Sequence, residues 1–413
     1  MFDRIEPPPF QQDGIVAMMK SVAADTRPTK VDLTVGLYKN ALGETPLMRA
    51  VRQADMELAE SRPHKAYVLP TGEPEFMSQM RDFSFGAKHT SRFVEGVQTP
   101  GASGALAVLL QLIRFSNPEA RVWVSDPTYL NHIPTIRAMG LQEAIYPYLD
   151  FETMGFRKEA FHSWLKTLGR NDVVILHGCC HNPSGLHMNT ETWTAVADAA
   201  ERQGFFPLFD TAYQGLGDGI DKDREGLDIV LSRVERMALS ISCSKSFSVY
   251  SDRVGCAFVV GKSQQEVEVA QRYLAGYSRP TYWVPPNSGA QVVAKVLSTP
   301  KLKEMWIEEL AEIRYRVGAI RNDLKLALQE HTNSNKFDYV AENSGMFSML
   351  PSSESKMKRL REEFAIYGLQ DGRINIAALK ESRIDYVAKS IAEVFSCQKS
   401  HSPKTSTSKQ AIF

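Results

Sequence analysis

Five short apolar runs, each ending in a polar loop, constrain this chain more than any other feature. They are residues 121–125 (RVWVS), 172–177 (DVVILH), 205–209 (FFPLF), 237–241 (MALSI) and 255–260 (GCAFVV). Helical patterns lie between them, for example at 189–203 and 225–235. Strands that alternate with helices pair in parallel, because each crossover needs the length of a helix. Helices then cover both faces of the sheet, and strands buried on both faces read as unbroken apolar runs, as these do. The expected fold is α/β, with a mostly parallel central sheet flanked by helices. Ligands of such sheets bind beyond the carboxyl ends of the strands, so the loop after each run is where chemistry is expected.

The pattern changes after about residue 298. Residues 299–331 read as one long amphipathic helix, and a shorter α+β segment follows with a strand at 346–350 (MFSML). This predicts a second, smaller domain. The expected division is 47–310 for the large domain, and 1–46 with 311–397 for the small one. The first 35 or so residues show no obvious sheet unit and are expected to pack with the small domain. The tail 398–413, rich in Ser, Thr and Lys, is expected to be disordered. No internal repeat is evident.

Composition excludes several classes of function. In 413 residues, 48 Lys and Arg balance 48 Asp and Glu, which argues against a broadly basic nucleic-acid binder. No apolar run approaches the roughly 20 residues of a membrane helix. The opening MFDRIEPPPF has neither an apolar signal core nor the Arg-rich, acid-poor character of a transit peptide. Five cysteines, an odd number in a chain this long, do not make a disulfide scaffold. A reduced, cytoplasmic location is therefore expected. The run His177-Gly178-Cys179-Cys180-His181 hints at a metal, but neighbouring residues of a strand point to opposite faces. No second Cys pair completes a zinc pattern, so no metal site is expected.

The polar loops offer a set of groups suited to one kind of ligand. The segment Pro100-Gly101-Ala102-Ser103 opens a helix expected from Gly104 to Phe115. Its amides, with Ser103, Ser242, Ser244 and Arg253, can hold a phosphate dianion. Asp210, at the end of the 205–209 run, can pair with a protonated ring nitrogen. Asn182 and Tyr213 can donate hydrogen bonds to a phenolate oxygen, and Tyr129 offers a face for stacking. Lys245 is an amine that can form a Schiff base if its pKa is depressed. Together they describe a pocket for pyridoxal phosphate, the electron-sink cofactor of amino-acid chemistry. Taken singly, each residue has a plainer reading. Asn182-Pro183-Ser184-Gly185 is a turn, Asp210 a cap, Tyr129 and Tyr213 core residues, and His132 and His177 structural histidines. The order and spacing of the set carry the signal.

On those residues the chain resembles the class I aspartate and aromatic amino-acid aminotransferases, fold-type I pyridoxal-phosphate enzymes, over about residues 1–397. The most specific stretches are VGLYKN (35–40), TPGASGAL (99–106), HGCCHNPSG (177–185), PLFDTAYQG (207–215), SCSK (242–245) with DRVG (252–255), NSGMFS (343–348) and GRINIA (372–377). The resemblance implies that Lys245 carries the cofactor as a Schiff base and moves the substrate proton. It implies that Asp210, supported by His132 and His177, keeps the ring nitrogen protonated, and that Tyr213 and Asn182 bond the phenolic oxygen. The phosphate would fall to Ala102, Ser103, Ser242, Ser244 and Arg253. Arg373 would clamp the substrate α-carboxylate, assisted by Asn182 and Gly36. A homodimer with shared active sites is also implied. Tyr67 would reach the phosphate in the partner's site, and Arg279 would grip a distal carboxylate there. By itself Arg279 reads as a surface charge; its place four residues before Trp283 matches the family's arginine.

Several positions depart from the family's usual residues. Tyr129 stands where a tryptophan normally stacks on the ring, Ser103 replaces threonine and Ala102 replaces glycine. Ala66 replaces an asparagine, and Trp283 and Val284 replace a serine–asparagine pair in the substrate wall. The lysine, the aspartate and both arginines remain. The sequence therefore implies a pyridoxal-phosphate-dependent aminotransferase acting on aspartate, glutamate or aromatic amino acids with a 2-oxo acid such as 2-oxoglutarate. The alternative is a specialised enzyme of the same cofactor acting on an unusual amino acid by elimination, replacement or transamination. A non-catalytic protein that keeps the fold for binding is disfavoured by the intact set of catalytic residues.

Overall fold

The computed structural model describes residues 14–62, 64–86, 91–351 and 353–396. The chain begins with α1 (Gly14–Ala24), β1 (Val31–Asp32), α2 (Arg49–Ser61) and α3 (Pro74–Phe85). The sheet region follows as β2 (Phe93–Pro100), α4 (Gly101–Ser116), β3 (Arg121–Asp126), α5 (His132–Ala138), β4 (Gln142–Pro147), α6 (Lys158–Leu165) and β5 (Asp172–His177). It continues with α7 (Thr190–Gln203), β6 (Phe206–Thr211), α8 (Glu225–Leu231), β7 (Met237–Ser242) and β8 (Val254–Gly261). Then come α9 (Gln264–Ser278), α10 (Ser288–Ser298) and α11 (Pro300–Thr332). The chain closes with α12 (Tyr339–Glu342), β9 (Phe347–Met349), α13 (Glu354–Phe364), β10 (Ile366–Tyr367), β11 (Arg373–Asn375) and α14 (Ile384–Ser396).

Seven strands form the central sheet in the order β2-β8-β7-β6-β5-β3-β4. Strands β4, β3, β5, β6 and β7 run parallel, while β8 is antiparallel to both its neighbours. The chain leaves β3 toward β4 on one side and returns to β5 on the other, which opens a crevice at the strand ends. Register levels the functional positions. His177 pairs with Asp210, and Asp210 with Ser240. Thr99 of β2 and Ser242 of β7 both pair with Gly255 of β8.

Both sheet faces are buried. Val174, Leu176, Phe209, Leu239 and Ile241 pack on one side with Trp193 and Val196 of α7 and Val293 of α10. Val173, Ile175, Leu208 and Ala238 pack on the other with Leu106 and Leu109 of α4 and Leu274 of α9. Beyond the sheet, α11 buries Leu302, Trp306, Leu310, Ile313, Val317, Ile320, Leu324 and Leu328. That spacing of three and four is one stripe of a helix, and it joins α11 to the first of the two cores. Two small pairings lie alongside: β1 with β10 in parallel, and β11 with β9 antiparallel.

The structure differs from the sequence expectations in particulars. Strands β2 and β4 were not expected. β2 is interrupted by Glu95, Gly96 and Gln98, and β4 is an edge strand with Gln142 and Ile145 exposed, so neither reads as an apolar run. The N-terminal segment does hold a sheet unit, β1, whose two residues are too few to leave a pattern. The helix expected from Gly104 begins at Gly101, which puts Ala102 and Ser103 in its first turn. The helix expected over 225–235 stops at Leu231, and β6 runs on through Asp210 and Thr211. The expected domain boundary at 310/311 falls inside α11. The tail 398–413 and Cys397 lie outside the described residues. Among the described residues, no helix is long and apolar enough to cross a membrane.

Candidate active site

The loops after β2, β3, β5, β6 and β7 converge on one polar cleft. Ala102, Ser103, Tyr129, His177, Asn182, Asp210, Tyr213, Ser242, Lys245 and Arg253 all line it. It stands at the carboxyl edge of the parallel strands, where the sheet order reverses.

At one end lies Asp210. Its Oδ2 is 3.1 Å from His132 Nε2, and its Oδ1 accepts a hydrogen bond from the Ser240 hydroxyl at 3.2 Å. Burial pushes the carboxyl pKa up, but the His132 bond and the nearby His177 and Lys245 outweigh it, and the net direction is down. Asp210 is therefore a buried carboxylate held ionised. His132 is oriented from behind by the Thr128 hydroxyl, 2.8 Å from its Nδ1. The rings of His132 and His177 lie 5.2 Å apart, and those of His177 and His181 4.4 Å. Burial, reinforced by His132, pulls the His177 pKa down to about 3, so this ring is neutral. Its Nε2 is buried without a protein partner.

At the other end is an anion cradle. The Arg253 guanidinium donates to the Ser244 hydroxyl at 3.1 Å, and the Ser242 hydroxyl accepts from the Ser244 amide at 3.2 Å. Gly101 has a φ of 66°, and a Cβ there would sit 2.5 Å from Arg253 Nη2. Only glycine allows this approach and this backbone conformation together. The 16-residue α4 starts at this turn, and Ala102 and Ser103 of its first turn line the cleft.

Lys245 lines the same cleft, with Nζ 5.1 Å from the Tyr213 ring centroid. Burial lowers its pKa to about 8, against the opposing pull of Asp210. Burial raises the Tyr213 phenol well above its ordinary value, so it is a protonated donor. Asn182 Nδ2 donates to the Tyr213 hydroxyl in a long bond of 3.4 Å. Tyr129 stands edge-on to His132 at 5.4 Å, and its hydroxyl accepts from Asn131 at 2.9 Å.

Arg373 brings the second sheet region to the cleft. Its guanidinium donates to Asn182 Oδ1 at 3.3 Å and to the Thr34 carbonyl at 2.9 Å, and it lies 4.6 Å from the Phe347 ring centroid. Its Nε is buried without a protein partner. Gly36 passes so close to Phe347 that a Cβ would meet the ring at 2.7 Å.

Two expected residues lie elsewhere in this chain. Tyr67 is 87% exposed and faces a groove shared with Ala66 and Val284. Arg279 is exposed and stacks on Trp283. Ser240, Thr128 and Phe347 were not anticipated. A signal for Ser240 existed, since Ser240 and Ser242 are polar at alternate positions of an otherwise apolar strand. Strand alternation does not separate Cys179 from Cys180, because β5 ends at His177. The thiols of Cys179 and Cys180 and the Asp223 carboxylate lie within 4.8 Å of one another. That carboxylate already accepts the amides of Gly215, Gly217 and Asp218 at 2.8, 2.9 and 2.8 Å.

The donor set fits pyridoxal phosphate. An ionised carboxylate suits a pyridinium nitrogen, hydroxyls with a guanidinium suit a phosphate, and a depressed amine lines the same cleft.

Comparison with known proteins agrees. The family model "Aminotransferase class I and II" matches residues 28–391. The aromatic-amino-acid aminotransferase of Paracoccus denitrificans is 40% identical over 386 residues, 94% of this chain and 98% of that one. The aspartate aminotransferase of Escherichia coli K12 is 34% identical, across 95% of this chain and 100% of its own. The crystal structure of the Burkholderia pseudomallei aromatic-amino-acid aminotransferase, covalently bound to pyridoxal phosphate, superposes with a TM-score of 0.92 at 34% identity. It covers 95% of this chain and 99% of that one. A cleft that already fits the cofactor, inside a chain matched almost end to end by such relatives, places this protein in the class I and II aminotransferase family as a pyridoxal-phosphate-dependent aminotransferase.

Proposed function

We propose that this aminotransferase exchanges amino groups between aromatic or acidic L-amino acids and 2-oxo acids such as 2-oxoglutarate, as a cytoplasmic homodimer. The observation that carries the reading is the arrangement of ionised Asp210, buried Lys245 and Arg373 around one cleft. The relatives named for aromatic amino acids and for aspartate support the substrate range. They are named as aminotransferases, which favours amino transfer over the specialised alternative.

Pyridoxal phosphate, when bound, supplies the electron sink that stabilises a carbanion at the substrate Cα. Everything else belongs to the chain. Asp210, oriented by His132 and Ser240, holds a proton on the ring nitrogen. Ser103, Ser242, Ser244, Arg253 and the Ala102 amide hold the phosphate, and Tyr129 covers the ring face. Tyr213 and Asn182 donate to the phenolic oxygen. Lys245 anchors the cofactor, and its Nζ takes the Cα proton and returns it. Arg373 binds the substrate α-carboxylate with Asn182 and Gly36; the unpartnered Nε is a donor that such a carboxylate satisfies.

Tyr67 and Arg279 serve the partner's site. Support comes from their exposure and from neither lining this chain's own cleft, together with the groove where Ala66, Tyr67 and Val284 meet. We take 47–310 as the cofactor domain, and 1–46 with 311–397 as the domain that carries Arg373.

An absorbance titration tests the reading. The visible band of the bound cofactor should bleach on adding phenylalanine, tyrosine, aspartate or glutamate alone, and return with 2-oxoglutarate. A band that none of these donors bleaches would reject the substrate assignment while leaving the cofactor site intact.

A further inference from the structure

We propose that Trp283 is a specificity-determining positioning residue, which holds the Arg279 guanidinium on its indole face and so weakens the grip on acidic side chains. This rests on the reading of Arg279 as the distal-carboxylate group of the partner's site.

Three observations carry it. First, the turn after α9 is wound tightly on one carbonyl. The amides of Thr281, Tyr282 and Trp283 all donate to the Ser278 oxygen, at 3.2, 3.0 and 3.1 Å. Second, this turn places Trp283 at a φ of 65°. Left-handed backbone is unusual for a bulky side chain, and persists where the surroundings impose it. The result is an indole 51% exposed in the isolated chain, not one folded into the core. Third, the Arg279 guanidinium carbon lies 4.7 Å from the Trp283 ring centroid. Among the described residues Arg279 makes no ion pair with a carboxylate.

A guanidinium resting on an exposed indole is held by a cation–π attraction that a carboxylate must outcompete. An aromatic substrate side chain pays no such penalty, because it has no need of the charge. The stack therefore handicaps aspartate against phenylalanine by about two- to fivefold, the range set by an exposed cation–π contact. Val284, next in the chain, lines the groove that also holds Tyr67.

The test is a double-mutant cycle on the holoenzyme with Trp283→Ala, Trp283→Phe, Arg279→Ala and the Trp283→Ala/Arg279→Ala pair. Two readouts are taken. One is kcat and KM for aspartate and phenylalanine. The other is the calorimetric Kd of succinate and of 3-phenylpropionate, which bind without reacting. Trp283→Ala should tighten succinate and raise the aspartate-to-phenylalanine ratio of kcat/KM by about two- to fivefold, through KM and not kcat. Trp283→Phe keeps an aromatic face and should stay close to the parent. In the Arg279→Ala background, Trp283→Ala should leave succinate affinity unmoved. Unchanged or weaker succinate binding in Trp283→Ala would overturn the proposal. So would an equal shift without Arg279, which would mean that the indole meets the substrate itself. If Arg279→Ala alone leaves succinate and aspartate untouched, the reading of Arg279 is what fails, and the proposal falls with it.

Discussion

Burial takes the Lys245 amine from its ordinary pKa of 10.5 to about 8. At pH 7.5 roughly a quarter of it is neutral, where an unperturbed lysine would be neutral about once in a thousand. The sign follows from the lowered value: the neutral, nucleophilic form appears at lower pH than in free lysine. Capture of pyridoxal phosphate by cofactor-free protein should therefore accelerate with pH and level off just above pH 8, as followed by stopped-flow absorbance. A rate still climbing steeply at pH 10 would contradict this. Lys245→Ala should cut transamination by at least about 10²–10⁴-fold, the usual worth of a positioned acid–base group, with the fold retained by circular dichroism. Asp210, Tyr213, Asn182 and Arg253 were legible in the sequence through the order and spacing of the whole set, since each alone has a plainer reading. Ser240 and Thr128 were not, since a serine or threonine acts here only by facing another side chain, and that partner is set by register.

At the level of elements, the β2–α4 junction is the most exacting. Gly101 reconciles a left-handed backbone with the close approach of Arg253. Gly101→Ala should loosen cofactor retention by about 5–30-fold, corresponding to 1–2 kcal/mol of strain and displacement. Equilibrium dialysis of pyridoxal phosphate measures it, and a parent-like affinity would show that the cradle tolerates the shift. A second element prediction is independent of the site. Asn189 caps α7 by accepting the Thr192 amide at 2.9 Å, so Asn189→Ala should cost about 1 kcal/mol in chemical denaturation and leave kcat unchanged. Strands β5 to β8 were legible because both their faces are apolar. Strand β2 was not, because its polar residues serve neighbours: Gln98 donates to the Pro286 carbonyl and accepts from the Glu73 amide.

For the whole molecule, the decisive experiment is subunit exchange. Lys245→Ala leaves no working site, and Arg279→Ala is expected to lose acidic substrates. If Arg279 serves the partner's site as proposed, a hybrid of the two rebuilds one complete site, because Lys245 and Arg279 then come from different subunits. Mixing the two variants under exchange conditions should restore aspartate turnover toward half of the parent value per hybrid dimer. No recovery despite exchange, followed by mass-labelled subunits, would place Arg279 in its own chain's site. The sheet class, the cofactor and most of the residues around it can be read from the chain before it folds. Apolar periodicity and reactive side chains are local properties, written in neighbouring positions. Which residues meet across distance follows from the fold: Ser240 with Asp210, Thr34 with Arg373, Arg253 with Gly101. The fold also decided that Trp283 stands outward with Arg279 upon it. Those pairings depend on strand register and on left-handed turns. No stretch of sequence encodes them alone, because each is the outcome of packing the whole core.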